Sequence, residues 1–575
     1  MSVDTALDGW QQILVRRSFI EGDALMRARA LLDTDSVHIL CGPFDRLESP
    51  WLEPQGIVPQ ADDGVVIARG TIDSRPAVIA SIEQGFQGGG TGEVSGAKIS
   101  QALRLAAGAS RAGKPTAAVL LLETGGVRLQ EANLGLNAVA EICSAILDLR
   151  PLAPVIGVVA GQVGCYGGVS IAAGLCTRLI MTPQGRLALN GAAVIEQEHG
   201  IEEFDSTDRA LIWAMEGGNQ RVAIALADQL VPDDADKLRA AISNAIAAGV
   251  APAGTHRSER ADVLAARLTA LDPAASPTPQ ELRQLWGSSY EVVGGSADPA
   301  HDPVAAPDRG RGGTWLTALA GVEPTAVIGS VIKADTAEAT YLAVVADPDN
   351  RFVRARHGEV GLTEASALAD TINRIVGLHA DADTKPAIVA VVDLPSQAYG
   401  RIEELAGLHQ AFATTVDAYH RARNAGHPIV AIVVGTALSG GFLTHGLQAQ
   451  QILALDDPGV QIHAMHKAAA ARITLRTVEE LEDLGARILP LSYDVEAWAQ
   501  LGFCDGLLKV SNADAPIADD VSIVHDALRR AVAAARNGPR DLSNRLDSPD
   551  AIRNRKASRM VRAALTTQWR TSDPE

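Results

Sequence analysis

Two stretches of this chain carry the same elements in the same order, and that repetition limits the fold more than any other feature. The first is VLLLETGGVRLQE, from Val119, then an amphipathic segment, then VIGVVAGQVGCYGGVSIAAG, from Val155. The second is IVAVVDLPSQAYG, from Ile388, another amphipathic segment, and IVAIVVGTALSGGFLTHG, from Ile429. In each, two continuous apolar runs of the kind that buried parallel strands require end in turns, most of them rich in glycine. Between the runs, Leu129, Ala132, Leu136, Val139, Cys143 and Ile146 recur at helical spacing, as do Leu405, Leu408, Phe412, Thr415 and Tyr419. A strand, a helix crossing over and a second strand make a right-handed parallel unit. Both copies continue alike, through RLIMTPQGRLALNG and QILALDDPGVQIHA. The chain is therefore predicted to be α/β, with two copies of one fold.

A glycine turn that opens a helix lets backbone N–H groups converge on one developing negative charge. Glycine suits such a place because a side chain would fill the space the substrate needs. The candidate oxyanion donors are the N–H groups of Gly126 and Val127 in the first turn and of Gly167 and Gly168 in the second. Tyr166 sits beside them, and Cys165, flanked by apolar residues, is expected to be a small core residue rather than a nucleophile.

At 575 residues the chain exceeds what one core usually serves. GGSADPAHDPVAAPDRGRGG, Gly294 to Gly313, has the composition of a linker and divides the chain into residues 1–293 and 314–575. Near the start, Trp10, Ile13 and Leu14, then Leu25, Ala28, Leu31 and Leu32, give a helical pattern before the turn-rich LESPWLEPQGIVPQADDG. Together these read as a docking arm. Val65 to Ile82 alternates about Asp73 and Ser74, the mark of a β-hairpin. The glycine run from Gly88 leads into a helix through Ala107 and is a candidate phosphate or thioester-arm cradle, though it lacks the Lys-Ser/Thr ending of a nucleotide P-loop. The tail from about Asn537, polar and arginine-rich, is expected to be a peripheral helix with a frayed end.

Hydrophobic residues make up 47% and charged residues 21%, as in an ordinary globular protein. No apolar run approaches the roughly 18 residues of a membrane span. A formal net charge of −19 repels nucleic-acid phosphates and anionic lipid, so neither is an expected partner. The five cysteines are odd in number and include no CxxC pair, which points to a reducing cytoplasm and away from structural zinc. The first residues lack the apolar core and cleavage site of an export signal.

At ETGGVRLQEANLG the sequence resembles the Gly-Gly-Ala-Arg-Met-Gln-Glu signature of acyl-CoA carboxyltransferases, members of the crotonase-like superfamily built from repeated β-β-α turns. FDRLESPW, PQADDG, GEVSGAKI, LETGGVRLQEANLGL and GIEEFDSTDRALIW are similar to the beta subunit of the biotin-independent malonate decarboxylase family. PDNRFVRARHGEVGL, VDLPSQAYGR and LALDDPGVQIHAMHKAAAARITLRT are similar to its gamma subunit. The resemblance covers almost all of the chain outside the linker and tail, and marks a natural beta–gamma fusion. It implies two tandem crotonase-like domains of the carboxyltransferase type. It also implies a reaction, loss of CO2 from a malonyl thioester on an acyl carrier protein to leave the acetyl thioester. Such a step puts electrons on the thioester carbonyl, so it chiefly needs hydrogen-bond donors, each worth on the order of 10²–10³ in rate, and no metal or redox group.

Further expectations come with the resemblance. The substrate rides on the phosphoribosyl-dephospho-CoA arm, of phosphopantetheine type, of a delta-type acyl carrier protein, which an alpha-type malonate:acetyl-carrier-protein transferase loads. No cofactor is bound tightly, and a homo-oligomer is compatible with the chain. By analogy with carboxyltransferases, Gly440 and Gly441 receive the carboxyl end of the substrate. Ser396, Gln397 and Tyr399, after the matching strand, are candidates to hold the carboxylate or protonate the enolate carbon, and Tyr166, beside the first-half turns, is a further substrate-binding candidate. Arg351, Arg354 and Arg356, with Lys467 and Arg472, are candidates for the acidic carrier and the phosphates of its arm. The pair His463 and His466 lacks a third ligand, so no metal site is expected.

Three other readings compete. A biotin-dependent carboxyltransferase would share the fold and both turns, but the chain has no Met-Lys-Met biotinyl motif. An acyl-CoA hydratase would want paired glutamates on the turns, which are missing. A non-catalytic scaffold that docks a carrier would not need to keep its glycine turns.

Overall fold

The computed structural model describes residues 16–292 and 309–572. The pattern at Trp10, Ile13 and Leu14 lies outside them, as does most of the linker. Gly310–Ala320 is a helix, so the last four residues of the stretch read as linker belong instead to the first described element of the C-terminal half.

Each half is built on one sheet. The N-terminal sheet has seven strands in sequence order: His38–Leu40, Val65–Ile72, Arg75–Ile82, Ala117–Leu121, Val155–Val159, Arg178–Met181 and Gln229–Leu230. The first three pair antiparallel and the others parallel. The hairpin turns at Asp73 and Ser74, both with positive φ (47° and 63°), the twist that a two-residue turn between right-twisted strands demands. The C-terminal sheet repeats the plan, with Thr325–Ile328, Val331–Asp335, Ala339–Val344, Ala387–Leu394, Ile429–Leu438, Gln451–Leu455 and Gly506–Leu508 in spatial order and Ile462–His463 paired to the side. The central pairs are parallel in both, Val119 beside Ile156 and Ile388 beside Ile429. The helices recur too: Glu93–Arg111, Ala132–Leu149 and Gly168–Leu175 against Leu362–Leu378, Leu408–Asn424 and Ser439–Thr444. This is the repetition the sequence announces.

The halves do not stand apart. A single apolar cluster runs from Leu40 through the helices Ala132–Leu149 and Gly168–Leu175 to Phe412, Phe442 and Trp569. Helix Leu408–Asn424 packs on Gly168–Leu175, and Arg150 of the N-terminal half forms a buried ion pair of 2.9 Å with Asp417 of the C-terminal half. Leu129–Leu149 is long and apolar enough to cross a membrane by composition, contrary to the sequence expectation, but it is buried in this shared core.

Two expectations about the ends are corrected. The supposed docking arm, where described, is part of the N-terminal half: His38–Leu40 is an edge strand, Ser49 Oγ donates to Glu131 (2.7 Å) and Trp51 Nε1 to Glu93 (2.7 Å). The supposed peripheral tail crosses the molecule. Its helix Lys556–Thr571 lies on Glu93–Arg111, with Arg555 and Arg562 paired to the buried Glu141 and the Ser558 N–H bonded to Glu93 (2.9 Å). The apolar stripe Val561, Leu565 and Trp569 explains this docking; counting charges hid it.

Candidate active site

The two glycine turns of the N-terminal half meet backbone to backbone. A Cβ on Gly167 (φ 60°) would lie 2.8 Å from Gly126 Cα and 3.6 Å from Val127 N. Gly125 is exposed and Val127, Tyr166 and Gly167 are half-buried, so the contact opens on the surface. The candidate donors then divide. Gly126 N–H donates to Thr124 Oγ1 (2.9 Å) and Gly167 N–H to Leu189 O (2.9 Å), which removes both as free oxyanion donors. Val127 and Gly168 have no N–H acceptor among the described residues. Val127 is half of a parallel bridge to Thr91, in which Gly126 O and Arg128 N face Thr91 and the Val127 N–H faces the other way.

The charged residues of ETGGVRLQE build the turn rather than face a substrate. Glu123 accepts the N–H groups of Gly161, Val163 (3.0 Å) and Gly164 (3.2 Å), so it shapes the loop leading to the second turn. Arg128 pairs with Asp63 (2.6 Å) and Glu131 (2.7 Å), all three buried, and its cation is strengthened by those two carboxylates against the opposing effect of burial. FDRLESPW (through Ser49), PQADDG (through Asp63) and ETGGVRLQE thus meet in one buried ionic cluster.

The C-terminal turn faces the same place. Gly440 would carry a Cβ 3.2 Å from Gln397 Oε1 and 3.5 Å from Leu189 Cδ2, while one on Gly168 would meet Leu443 Cδ2 at 2.9 Å. Gln397 is engaged at both ends of its amide: Oε1 accepts Gly440 N–H (2.7 Å) and Nε2 donates to Asn190 Oδ1 (2.8 Å). Gln397 and Gly440 N–H therefore make a bridge between halves, which takes Gly440 N–H out of the donors expected to face the substrate. Gly441 N–H has no acceptor among the described residues, and its Cβ position is filled by Ser396 O at 2.7 Å. Ser396 Oγ donates to Gln397 O (2.7 Å), and Tyr399 OH lies 3.5 Å from Ser439 Oγ with its pKa pushed up to about 12 by burial. Tyr166 turns its hydroxyl inward to Glu216 (2.8 Å), away from the role expected.

Behind these turns lies a set of groups that sequence reasoning missed. Glu404 Oε2 accepts Leu189 N–H (2.9 Å) and Oε1 accepts Asn190 N–H (2.7 Å). Arg221 spans the halves, donating to Leu187 O (2.9 Å), Glu404 O (2.9 Å) and Leu405 O (3.2 Å). Burial pushes Glu404 up to about 8, with Glu216 repulsion adding to it and the Asn190 N–H, Arg221 and the Leu189 N–H opposing; burial likewise lifts Glu216 to about 7. The one sequence signal was RIEELAGL, two adjacent glutamates opening a helix whose next turns are apolar.

Most of the basic residues have local partners. Arg351 donates to Leu268 O and Leu271 O (3.1 Å), closing the end of helix Ala261–Ala270. Arg354 pairs with Glu203, and Arg356 Nε donates to Asn350 O (2.8 Å). Lys467 pairs with Glu482 (2.8 Å) and sits 5.3 Å from the Tyr493 ring, while Arg472 is exposed on the helix Lys467–Ile473 that touches Ala192–His199 of the other half. Burial raises the Cys165 thiol well above its ordinary value, in keeping with a core residue. A groove of about 1750 Å3 lies elsewhere, between Ala261–Ala270 and Leu362–Leu378; of the candidate residues only Arg351 lines it.

Residues 24–279 match the family described as carboxyl transferase domain, and residues 355–569 that described as malonate decarboxylase gamma subunit. The malonyl-S-ACP:biotin-protein carboxyltransferase MADC of Malonomonas rubra is 40% identical over 233 residues, 39% of this chain and 73% of that protein. MADD of the same organism, with the same described activity, is 34% identical over 194 residues, 33% of this chain and 65% of its own length, just under two thirds. A chain of a Pseudomonas malonate decarboxylase hetero-tetramer, crystallised in complex with malonate, is 56% identical with a TM-score of 0.47; the match covers 48% of this chain and 99% of that one.

Proposed function

The chain belongs to the malonate decarboxylase subunits of the carboxyl transferase family, a beta-type and a gamma-type crotonase-like half in one polypeptide, and from that premise we propose that it decarboxylates a malonyl thioester. The substrate in this reading is carried by an acyl carrier protein on its phosphoribosyl-dephospho-CoA arm, and another subunit loads it. The C–C bond to the carboxylate breaks, CO2 leaves, and the electron pair moves through the α-carbon to the thioester oxygen. The enolate then takes a proton at carbon to give the acetyl thioester. The single observation that carries the reading is the pair of unengaged N–H groups, Val127 and Gly168, at the contact of two turns fixed by buried groups. Donors held in place before the charge develops need no reorganisation, which is the source of their effect.

A thioester is the substrate such donors suit. Its carbonyl is neutral and gains one charge, whereas free malonate would become a dianionic enolate that a few amides stabilise poorly. The names of MADC and MADD favour a second reading, in which the same enolate forms but the carboxyl group passes to a biotin protein. Incubating the purified chain with malonyl-carrier protein, with and without a biotinyl protein, and following mass and CO2 separates the two. Acetyl-carrier protein and CO2 formed without biotin support decarboxylation; conversion only when the biotinyl protein is present supports transfer. No conversion under either condition rejects both.

A further inference from the structure

We propose that Glu404 is a positioning residue that sets the glycine turns of both halves in register through the single turn Leu189–Asn190. The inference adds to the decarboxylase reading and rests on it only where turnover is concerned. The chain of contacts is continuous. The two carboxylate oxygens of Glu404 hold the N–H groups of Leu189 and Asn190. Leu189 O accepts Gly167 N–H, which fixes the turn that touches Gly126 and leaves Gly168 N–H free. Asn190 Oδ1 accepts Gln397 Nε2, Gln397 Oε1 accepts Gly440 N–H, and Asn190 Nδ2 closes the loop on Ala398 O (2.9 Å). One buried carboxylate from the C-terminal half thus governs a turn of the N-terminal half, and that turn governs a backbone amide in each.

Charge makes the arrangement conditional. Two N–H donors, one on each oxygen, match an ionised carboxylate best; a proton on one oxygen makes that oxygen a poorer acceptor and weakens its bond to the N–H. The groups facing Glu404 are Glu216, with Tyr166 on its Oε2, the guanidinium of Arg221, the adjacent Glu403, and His409 beyond Arg221. Burial, with Glu216 adding to it, disfavours the charged form, while the Asn190 N–H, Arg221 and the Leu189 N–H favour it, and the balance lifts Glu404 to about 8.

Amide hydrogen exchange on the full-length protein, read by mass spectrometry, tests this without an activity assay. In Glu404→Gln, peptides containing Gly167 and Gly440 should both exchange at least about tenfold faster than in the wild type. Glu403→Gln, which removes the neighbouring buried carboxylate but no bond to the turn, should leave both unchanged. If E404Q does not fold, the wild type alone decides: after correction for intrinsic rates, protection of both turns should fall together as pH is lowered from about 9 to 6. Faster exchange confined to Leu189 and Asn190, equal loosening in E403Q, or pH-independent protection would overturn the proposal. Turnover of malonyl-carrier protein adds a second readout, kcat lowered at least about tenfold in E404Q with KM within about twofold. An inactive wild type would reject the decarboxylase reading and leave the exchange result to judge Glu404.

Discussion

Gly126 and Gly167 each occupy the space where the other's side chain would be: a Cβ on Gly126 would sit 3.1 Å from Gly167 Cα, and one on Gly167 2.8 Å from Gly126 Cα. Both have positive φ, 115° and 60°, so each is glycine for conformation and for close approach.

Gly167→Val is therefore expected to lower stability as well as turnover. Backbone must shift, and the branched side chain also resists φ near 60°, a combined cost of about 2–4 kcal/mol. Denaturant midpoints and turnover measured on one preparation check it. Turnover lost at wild-type stability would return Gly167 to the substrate surface.

Arg128→Met should be more damaging still, because it leaves Asp63 and Glu131 buried together without their cation. Breaking a buried ionic cluster by removing one partner costs about 3–5 kcal/mol. Arg128→Lys keeps the charge but offers no planar fork to both carboxylates and should recover only part of the loss. Equilibrium unfolding of the two variants gives the comparison, and wild-type stability in Arg128→Met would deny the cluster its structural role.

The repeat was legible because apolar runs and glycine spacing are one-dimensional signals: the strands Ala117–Leu121, Val155–Val159, Ala387–Leu394 and Ile429–Leu438 lie where the runs predict. The fates of individual amides were not legible. Whether Gly126 N–H is free depends on Thr124 Oγ1, and whether Gly440 N–H is free depends on Gln397, contacts that spacing cannot reveal. Asn190 and Glu404 escaped notice since they act across halves, and no local pattern links residues so distant in the chain. The tail misled because its arginines resemble a solvated face, although Arg555 and Arg562 meet Glu141 in the interior.

The share of folding stability that three buried glutamates supply should decline as pH rises from about 4.5 toward 8, opposite in sign to the buried histidines His256, His420 and His463, which burial holds neutral. Glu216, Glu403 and Glu404 have folded-state values raised to about 7, 8 and 8, chiefly by burial, from an unfolded value of 4.5. Across that window these three carboxyls keep protons that they release on unfolding, so through them each rise in pH favours unfolding, by at most about 1.4 kcal/mol per pH unit for each group. Replacing Glu404 by Gln removes one such group, so the stability of the variant relative to the wild type should rise with pH between those limits. Parallel curves for the two proteins would show that Glu404 does not titrate there.

The last prediction concerns the tail. A chain ending at Asn537 should lose stability in the N-terminal half, although the residues removed follow the C-terminal half. Helix Lys556–Thr571 covers Glu93–Arg111, Arg69 lies 4.3 Å from the Trp569 ring, and Gln101 Nε2 donates to Thr566 (3.0 Å). Without the tail, Glu141 keeps its bond from Asn137 (2.9 Å) but loses Arg555 and Arg562, and Asn137 loses Arg545. Removing the buried partners of such a carboxylate costs about 3–5 kcal/mol, less the part that Arg104, which stays, still offsets. The pH dependence identifies the cause. Burial opposes the charge of Glu141, but the surrounding arginines, Arg562 foremost, bring it down to about 2, so the stabilisation they give is complete above about 4.5 and is lost as pH falls from there toward 2. The difference between full-length and truncated chains should accordingly be largest at neutral pH and shrink in acid, with hydrogen exchange faster in Glu93–Arg111 and Ala132–Leu149. Residues 1–293 expressed alone lack this clasp as well as the turn around Gly440, so they should be unstable and inactive, and should recover only when mixed with a C-terminal half that retains the tail. Recovery with a C-terminal half ending at Asn537 would show that the clasp is dispensable.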